Sequence, residues 1–297
     1  MKIHKGKTLE KSGKYNIIDC IKCGFIHANP IPTTEELNEY YNKSFYQKTK
    51  PDYLEKTKKE LPYWQMMYQD KMATLNKHIK KKNKRILDIG CSGGFFPKYF
   101  QDNGWKAVGI EPSPVAANYA KKQSLEVIEK LFEEVDLKKI GKFDAIHMAF
   151  VLEHVRDPIT LLKRAYQLLN KGGIICVESP NDFNPLQNIL KTKLHKKPYW
   201  VCLLDHINYF TPISLTKLLK KVGFKVIDTF GTFPMEFFVL MEDDYIGNDR
   251  IGRACHQKRM DLELSLSNNG LNEFKLNTYR FFIKNNIGRE IIIYGKK

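Results

Sequence analysis

The chain has 297 residues, 42% hydrophobic and 12% aromatic, enough to bury a sizeable core in one large domain or one domain with a cap. Its formal net charge of +16 is mostly lysine spread along the chain, so no nucleic-acid partner is inferred from it; an anionic small molecule would use the same positive field. There is no apolar run near the roughly 18 residues of a membrane span, no apolar stretch of a signal peptide at the start, and no disulfide framework in six scattered cysteines, so a cytoplasmic protein is expected.

Taken in order, the chain first presents Cys20-Ile21-Lys22-Cys23-Gly24. This has the form of a zinc knuckle, but a closed structural site takes four ligands. His4 and His27 would complete one only by coincidence, so the expectation is a small β-hairpin with two reduced thiols and no metal. Pro30-Ile31-Pro32 breaks the chain, and Thr33 to Glu36 reads as a capping box. Leu37, Tyr40 and Tyr41 share a face of the helix that follows, for core packing or as a lid. Residues 61–82 read as a second amphipathic helix through Leu61, Trp64, Met67, Tyr68, Met72, Leu75 and Ile79.

Residues 86–96, Ile-Leu-Asp-Ile-Gly-Cys-Ser-Gly-Gly-Phe-Phe, are the organising stretch. Ile86, Leu87 and Ile89 predict a buried parallel strand. Gly90, Gly93 and Gly94 allow a sharp turn and a close ligand. A helix then runs to Gly104. Strand, glycine turn and helix form a nucleotide-binding layout. Asp88 at the strand end would repel a pyrophosphate and suits a cationic amine. Glu111, after the apolar run Ala107 to Ile110, stands where an acid holds ribose hydroxyls. A ligand with an adenosine, an ammonium and no phosphate is S-adenosylmethionine.

Ser113-Pro114 starts the next helix. Short strands follow at 125–128 and 144–148, then a helix capped by Asp157-Pro158, then a strand at 174–178. Residues 179–210 read as an irregular loop carrying Asp205-His206-Ile207-Asn208-Tyr209-Phe210. Thr211-Pro212 opens a helix stopped by Gly223, and strands follow at 224–230 and 289–295. Arg253, His256, Arg259 and Glu263 show helical spacing between them.

The 86–96 stretch resembles the first motif of class I S-adenosylmethionine-dependent methyltransferases. Phe143 to Met148 followed by Val151-Leu152-Glu153-His154-Val155-Arg156-Asp157-Pro158, and Leu168 to Gly173, are similar to later motifs of that group. Some small-molecule members begin with two Cys-x-x-Cys pairs; the upstream pair is missing here. The resemblance implies an α/β, doubly wound, Rossmann-like fold: a seven-stranded, mostly parallel sheet with an antiparallel last strand. It also implies the division 1–60 N-terminal segment and lid helix, 61–232 core, 233–286 helical insertion capping the acceptor, and 287–297 last strand. Expected cofactor contacts are Asp88, Gly90, Cys91, Ser92, Gly93, Glu111, Leu131, Met148 and Ala149. Expected acceptor contacts are Arg253, His256 and Arg259.

If the acceptor is a hydroxyl, a base removes its proton. His154, beyond the fourth strand, and His206, in the long loop, are the candidates, and His154 is preferred because rigid elements position it. Glu153 is expected to serve the local backbone. The expected acceptor is a sugar or nucleotide-linked sugar hydroxyl of surface-polysaccharide biosynthesis, the alternative a phenolic quinone precursor. An RNA methyltransferase is disfavoured, because no Asn/Asp-Pro-Pro-aromatic motif is present. A non-catalytic cofactor-binding module is disfavoured by the intact Asp88, Glu111 and glycines.

Overall fold

A computed structural model describes residues 4–40 and 53–297. The strands are β1 (Gly6–Ser12), β2 (Tyr15–Cys20), β3 (Phe25–Asn29), β4 (Arg85–Ile89), β5 (Lys106–Ile110), β6 (Glu126–Ile128), β7 (Phe143–Ala149), β8 (Leu169–Pro180), β9 (Asn208–Tyr209), β10 (Lys225–Gly231) and β11 (Glu290–Lys296). The helices are α1 (Thr34–Tyr40), α2 (Tyr53–Lys59), α3 (Leu61–His78), α4 (Phe95–Asp102), α5 (Pro114–Lys121), α6 (Leu137–Ile140), α7 (Pro158–Leu168), α8 (Pro185–Lys193), α9 (Pro212–Val222), α10 (Glu236–Leu240), α11 (Asp249–Asn268) and α12 (Asn272–Lys284).

Seven strands form the main sheet in the order β10-β11-β8-β7-β4-β5-β6. β11 runs antiparallel to both its neighbours, and the other pairs are parallel. This is the expected architecture. Because both faces are covered, the central strands are apolar on successive residues. Leu87, Ile89, Ile146, Met148, Ile175 and Val177 pack under α7 and α9 through Leu161, Leu162, Leu215 and Leu219. Ile86, Ala107, Ala145, Ile174 and Ile292 pack on the opposite side under Met67, Leu75, Phe96 and Phe100 of α3 and α4. On that second face the pattern breaks near the carboxyl ends of the strands: Asp88, His147 and Glu178 are buried there.

A second sheet, β1-β2-β3-β9, is antiparallel throughout. The predicted hairpin is therefore a three-stranded meander, and β9 from the predicted loop completes it. That loop is also not irregular throughout. Asn184 and Gln187 cap each other reciprocally and start α8, a signal that Asn184-Pro185 carried in the sequence. The predicted capping box at Thr33 and Glu36 is present, with both hydrogen bonds made. Leu37 is buried; Tyr41, and what the side chain of Tyr40 does, lie outside the described residues. The insertion is helical as expected, with α11 against α3 and α12 against β10. Among the described residues no helix is long and apolar enough to cross a membrane.

Candidate active site

The glycine turn leaves β4 with Gly90 at φ +76°, and a Cβ there would lie 2.7 Å from Val151 Cγ2, so both conformation and space require glycine. The Gly90 and Cys91 amides donate to the Ile110 carbonyl, which sets the turn against the end of β5. Ser92 sits at φ +48°, and its amide donates to Glu111 Oε2 at 2.9 Å. The Ser113 amide donates to Glu111 Oε1, also at 2.9 Å. Glu111 is thus locked at the carboxyl edge of the sheet by two amides.

Asp88 is buried at the end of β4. Its side chain turns to the α3 side of the sheet and lies 2.6 Å from His147 Nδ1. Lys71 of α3 stands 3.4 Å from His147 Nε2 and pairs with Glu178 in a close buried contact. An ammonium donates only, so His147 Nε2 is the acceptor and Nδ1–H donates to Asp88. Burial raises the Asp88 carboxyl, with Lys71 opposing, while burial followed by Lys71 lowers the His147 imidazole. Phe96 stacks on the His147 ring at 3.7 Å. One Asp88 oxygen is thereby committed to an internal relay. Met148 is fully buried under α7, because successive residues from Ala145 to Met148 face opposite layers. Ala149 and Leu131 are accessible, Leu131 at 45%. Phe150, missed in the sequence, follows β7 with φ +54° and 40% exposure at the same edge. A non-glycine residue held in that region is a site signal, but one visible only in the backbone.

The two candidate bases do come together. The His154 and His206 rings lie 5.2 Å apart. His154 Nδ1–H donates to the Asp205 carbonyl, which leaves Nε2 as the basic nitrogen, 3.9 Å from Glu153 Oε1. The His206 loop is pinned where Ile207 and Asn208 donate their amides to the Glu153 carbonyl. The Asn208 side chain further donates to the Leu152 and Val155 carbonyls. Glu153 therefore does more than serve the backbone. Its side chain is 1% exposed, accepts from Ser179 Oγ at 3.1 Å, and is pushed up by burial to about 7, with His206 opposing. Burial lowers His206, but Asp182, Glu153 and Asp205 outweigh it and the imidazole is raised. Glu153, His154 and His206 also lie close enough to share a cation.

This buried acid predicts a pH effect on stability. The folded pKa of Glu153 stands above its ordinary 4.5, so its favourable contribution is complete below that value and is lost as pH rises through about 7. The ligand-free protein should melt at progressively lower temperature from pH 5 to pH 8. Glu153→Gln should flatten part of that slope in thermal scans, the remainder coming from the other raised groups: Glu290, likewise pushed up to about 7 by burial, with Asp88 and His206. A Glu153→Gln slope equal to the parent's would contradict this.

Of the predicted acceptor residues, His256 and Arg259 meet and Arg253 stands apart. Arg259 is 7% exposed, 5.6 Å from the Tyr63 ring and 3.9 Å from Glu290. His256 bridges Arg259 Nη2 and Glu60 Oε1 at 3.2 and 3.3 Å. Both tie α11 to α3 and β11. Arg253 is exposed on another face of α11. Helical spacing grouped the three, but packing needs an apolar-enough inner face and took Arg259 with it. The polar side chains that the fold does gather beyond β8 and β11 are Glu236, Arg289, Tyr199 and Tyr245. Glu236, fully buried, accepts from Tyr199 at 3.0 Å and Arg289 at 3.3 Å, while the Tyr199 and Tyr245 hydroxyls meet at 3.4 Å.

Residues 63–229 match the family described as "Methyltransferase domain". Among curated proteins, the chain is 33% identical over 158 residues to the ubiquinone biosynthesis O-methyltransferase of Dinoroseobacter shibae, covering 50% of this chain and 63% of that protein. It is 26% identical to the protein of the same name from Coxiella burnetii strain RSA 493, covering 54% and 72%. The chain thus spans about two thirds of the length of these relatives. Among solved structures, the plantazolicin methyltransferase BpumL in complex with SAH superposes with a TM-score of 0.54 at 17% identity, covering 88% of this chain and 93% of that one; the likeness is one of fold.

Proposed function

The chain belongs to the methyltransferase-domain family of S-adenosylmethionine-dependent enzymes, and from that premise we propose that it methylates a hydroxyl of a small phenolic acceptor. The observation that carries the choice of a hydroxyl is the Glu153, His154 and His206 cluster at the carboxyl edge, where two imidazoles stand beside a buried acid that burial pushes up to about 7. A phenol must lose its proton as oxygen attacks the sulfonium methyl, and a base matched to the working pH serves that step. The curated relatives of this chain carry the name of an O-methyltransferase of quinone biosynthesis, which favours a phenol over the sugar hydroxyl expected from the sequence. Phe150 and Leu131 offer accessible apolar surface at that edge.

The test is mass spectrometry of reactions containing S-adenosylmethionine and a panel of catechols, other phenols, phosphorylated sugars and nucleotide-linked sugars. A gain of one methyl on a phenol, with S-adenosylhomocysteine released, is the expected result. Methylation confined to nucleotide-linked sugars would return the assignment to the sugar reading.

In the same reading Glu111 holds the ribose. A hydrogen bond to a charged group contributes about 1.5–3 kcal/mol, so Glu111→Ala should weaken S-adenosylmethionine binding by roughly ten- to a hundredfold in calorimetry. That change also strips the Ser92 and Ser113 amides of their acceptor, so circular dichroism of the variant belongs beside the titration. Unchanged affinity in a folded Glu111→Ala protein would remove the ribose assignment.

A further inference from the structure

The sequence reading left Cys20 and Cys23 without partners, but the fold supplies two. Gly6 pairs with Cys20 across β1 and β2, and the Ile21 amide donates to the Lys5 carbonyl, which delivers His4 to the Cys-x-x-Cys turn. His4 Nδ1 lies 3.6 Å from Cys20 Sγ and 3.4 Å from Cys23 Sγ. Gly24, at φ +77°, closes the turn by donating its amide to the Cys20 carbonyl. His27 enters from β3, its ring 4.9 Å from that of His4. One donor atom from each of the four residues lies within 4.8 Å of every other.

The second observation is the state of His27. Its Nδ1–H donates to the Ala28 carbonyl at 2.8 Å, so Nε2 carries the lone pair. The residue is 1% exposed, and this Nε2 has no hydrogen-bond partner. A buried imidazole nitrogen left without a donor is costly. Two thiols and a second imidazole stand in front of it. Thiols are weak donors, and no carboxylate belongs to the cluster.

We propose that His4, Cys20, Cys23 and His27 form a tetrahedral site for one Zn²⁺ ion that staples the strands of the N-terminal sheet to one another. With Zn–S near 2.3 Å and Zn–N near 2.0–2.1 Å, tetrahedral ligands stand about 3.3–3.8 Å apart. The His4–Cys contacts already have that separation, and the remaining pairs close by about 1.5 Å at most. Binding displaces one proton from each thiol to solvent and yields a site of zero net charge, suited to burial. The staple has work to do. The N-terminal sheet owns only a small cluster of buried residues, Tyr15, Ile17, Ile26, Ala28 and Tyr209, and small units of this kind depend on staples. His27 pairs with Asn208 on β9, two residues after His206, and Phe25 packs on Phe210 at 5.2 Å. The metal would therefore hold β3, and through it the loop that presents His206.

The full chain, purified without chelators or a histidine tag, should contain about one zinc per molecule by plasma mass spectrometry. Replacement by Co²⁺ should give the intense visible absorption of a tetrahedral ion with a thiolate charge-transfer band. Cys23→Ser and His27→Ala should lose the metal, and Cys202→Ser, at an exposed cysteine outside the cluster, should keep it. If a variant does not fold, the cobalt spectrum of the parent protein still decides. A parent that retains no zinc after loading and desalting would overturn the proposal. So would a cobalt spectrum without thiolate bands, or zinc that survives Cys20→Ser with Cys23→Ser but leaves with His154→Ala.

Discussion

His154→Ala is expected to lower turnover on a phenolic hydroxyl by about a hundred- to ten-thousandfold, the span of general-base loss, while S-adenosylmethionine affinity stays near that of the parent. The Asp205 carbonyl fixes the imidazole with Nε2 basic, and Glu153 Oε1 stands 3.9 Å away to stabilise the imidazolium formed when the proton arrives. His206 should matter less. It shares the charge of the cluster through its edge contact with His154, and its alanine variant should shift the pH profile more than the plateau rate. The base must be free of its proton beforehand and works beside the Glu153 charge, so the parent rate should fall as pH drops below about 7, where Glu153 takes up a proton. An amine acceptor, which sheds its proton to solvent, should be much less sensitive. A near-normal rate for His154→Ala would end the assignment, and a large plateau loss confined to His206→Ala would move it to the loop. Rigidity alone no longer separates the two histidines, because Asn208 and the Glu153 carbonyl hold the loop as firmly as β7 holds His154.

The main sheet was legible because parallel strands buried on both faces leave apolar runs, and because Gly90 to Gly94 and the Ser113 and Asp157 caps punctuate them. The Glu111 position was legible for the same reason: it follows a strand at a fixed distance from the turn. What the sequence did not show are contacts made across elements. Nothing near Asp88 announces that His147, Lys71 and Glu178, from two other strands and a helix, converge on it. His4 reaches Cys20 only through the register of β1 on β2, and His27 only through that of β3. Arg259 misled for the converse reason. Its helical spacing with Arg253 and His256 is real, but burial against Tyr63 and Glu290 decides its role, so its substitution should cost stability rather than raise an acceptor's Michaelis constant.

Lys71→Ala should be among the most destabilising single changes in the core. Lys71 is the cation in a buried group that also contains Glu178, Asp88 and His147, and all four are under 7% exposed. Its pKa is raised even though burial is the largest influence and pulls the other way, because Glu178, Cys176 and Asp88 together outweigh it. Removing one member of a buried ion pair leaves the other charge uncompensated, at a cost of about 3–5 kcal/mol. Here two carboxylates lose their cation together, and His147 Nε2 loses its donor. At the 2–4 °C per kcal/mol typical of chains of this size, the melting temperature should fall by roughly 6–20 °C. The compensated variant separates charge from packing. Lys71→Met with Glu178→Gln keeps the volume, removes both charges, and should recover much of the loss. Because the relay ends on Asp88, at the root of the cofactor turn, the single variant should also bind S-adenosylmethionine more weakly. The double variant should regain stability before it regains affinity, since it still lacks the ammonium that orients His147 toward Asp88. Thermal scans and calorimetry on the three proteins measure both effects. Equal stability for the parent and Lys71→Ala would show that water or a rearranged Glu178 replaces the ammonium, and the buried relay would lose its structural role.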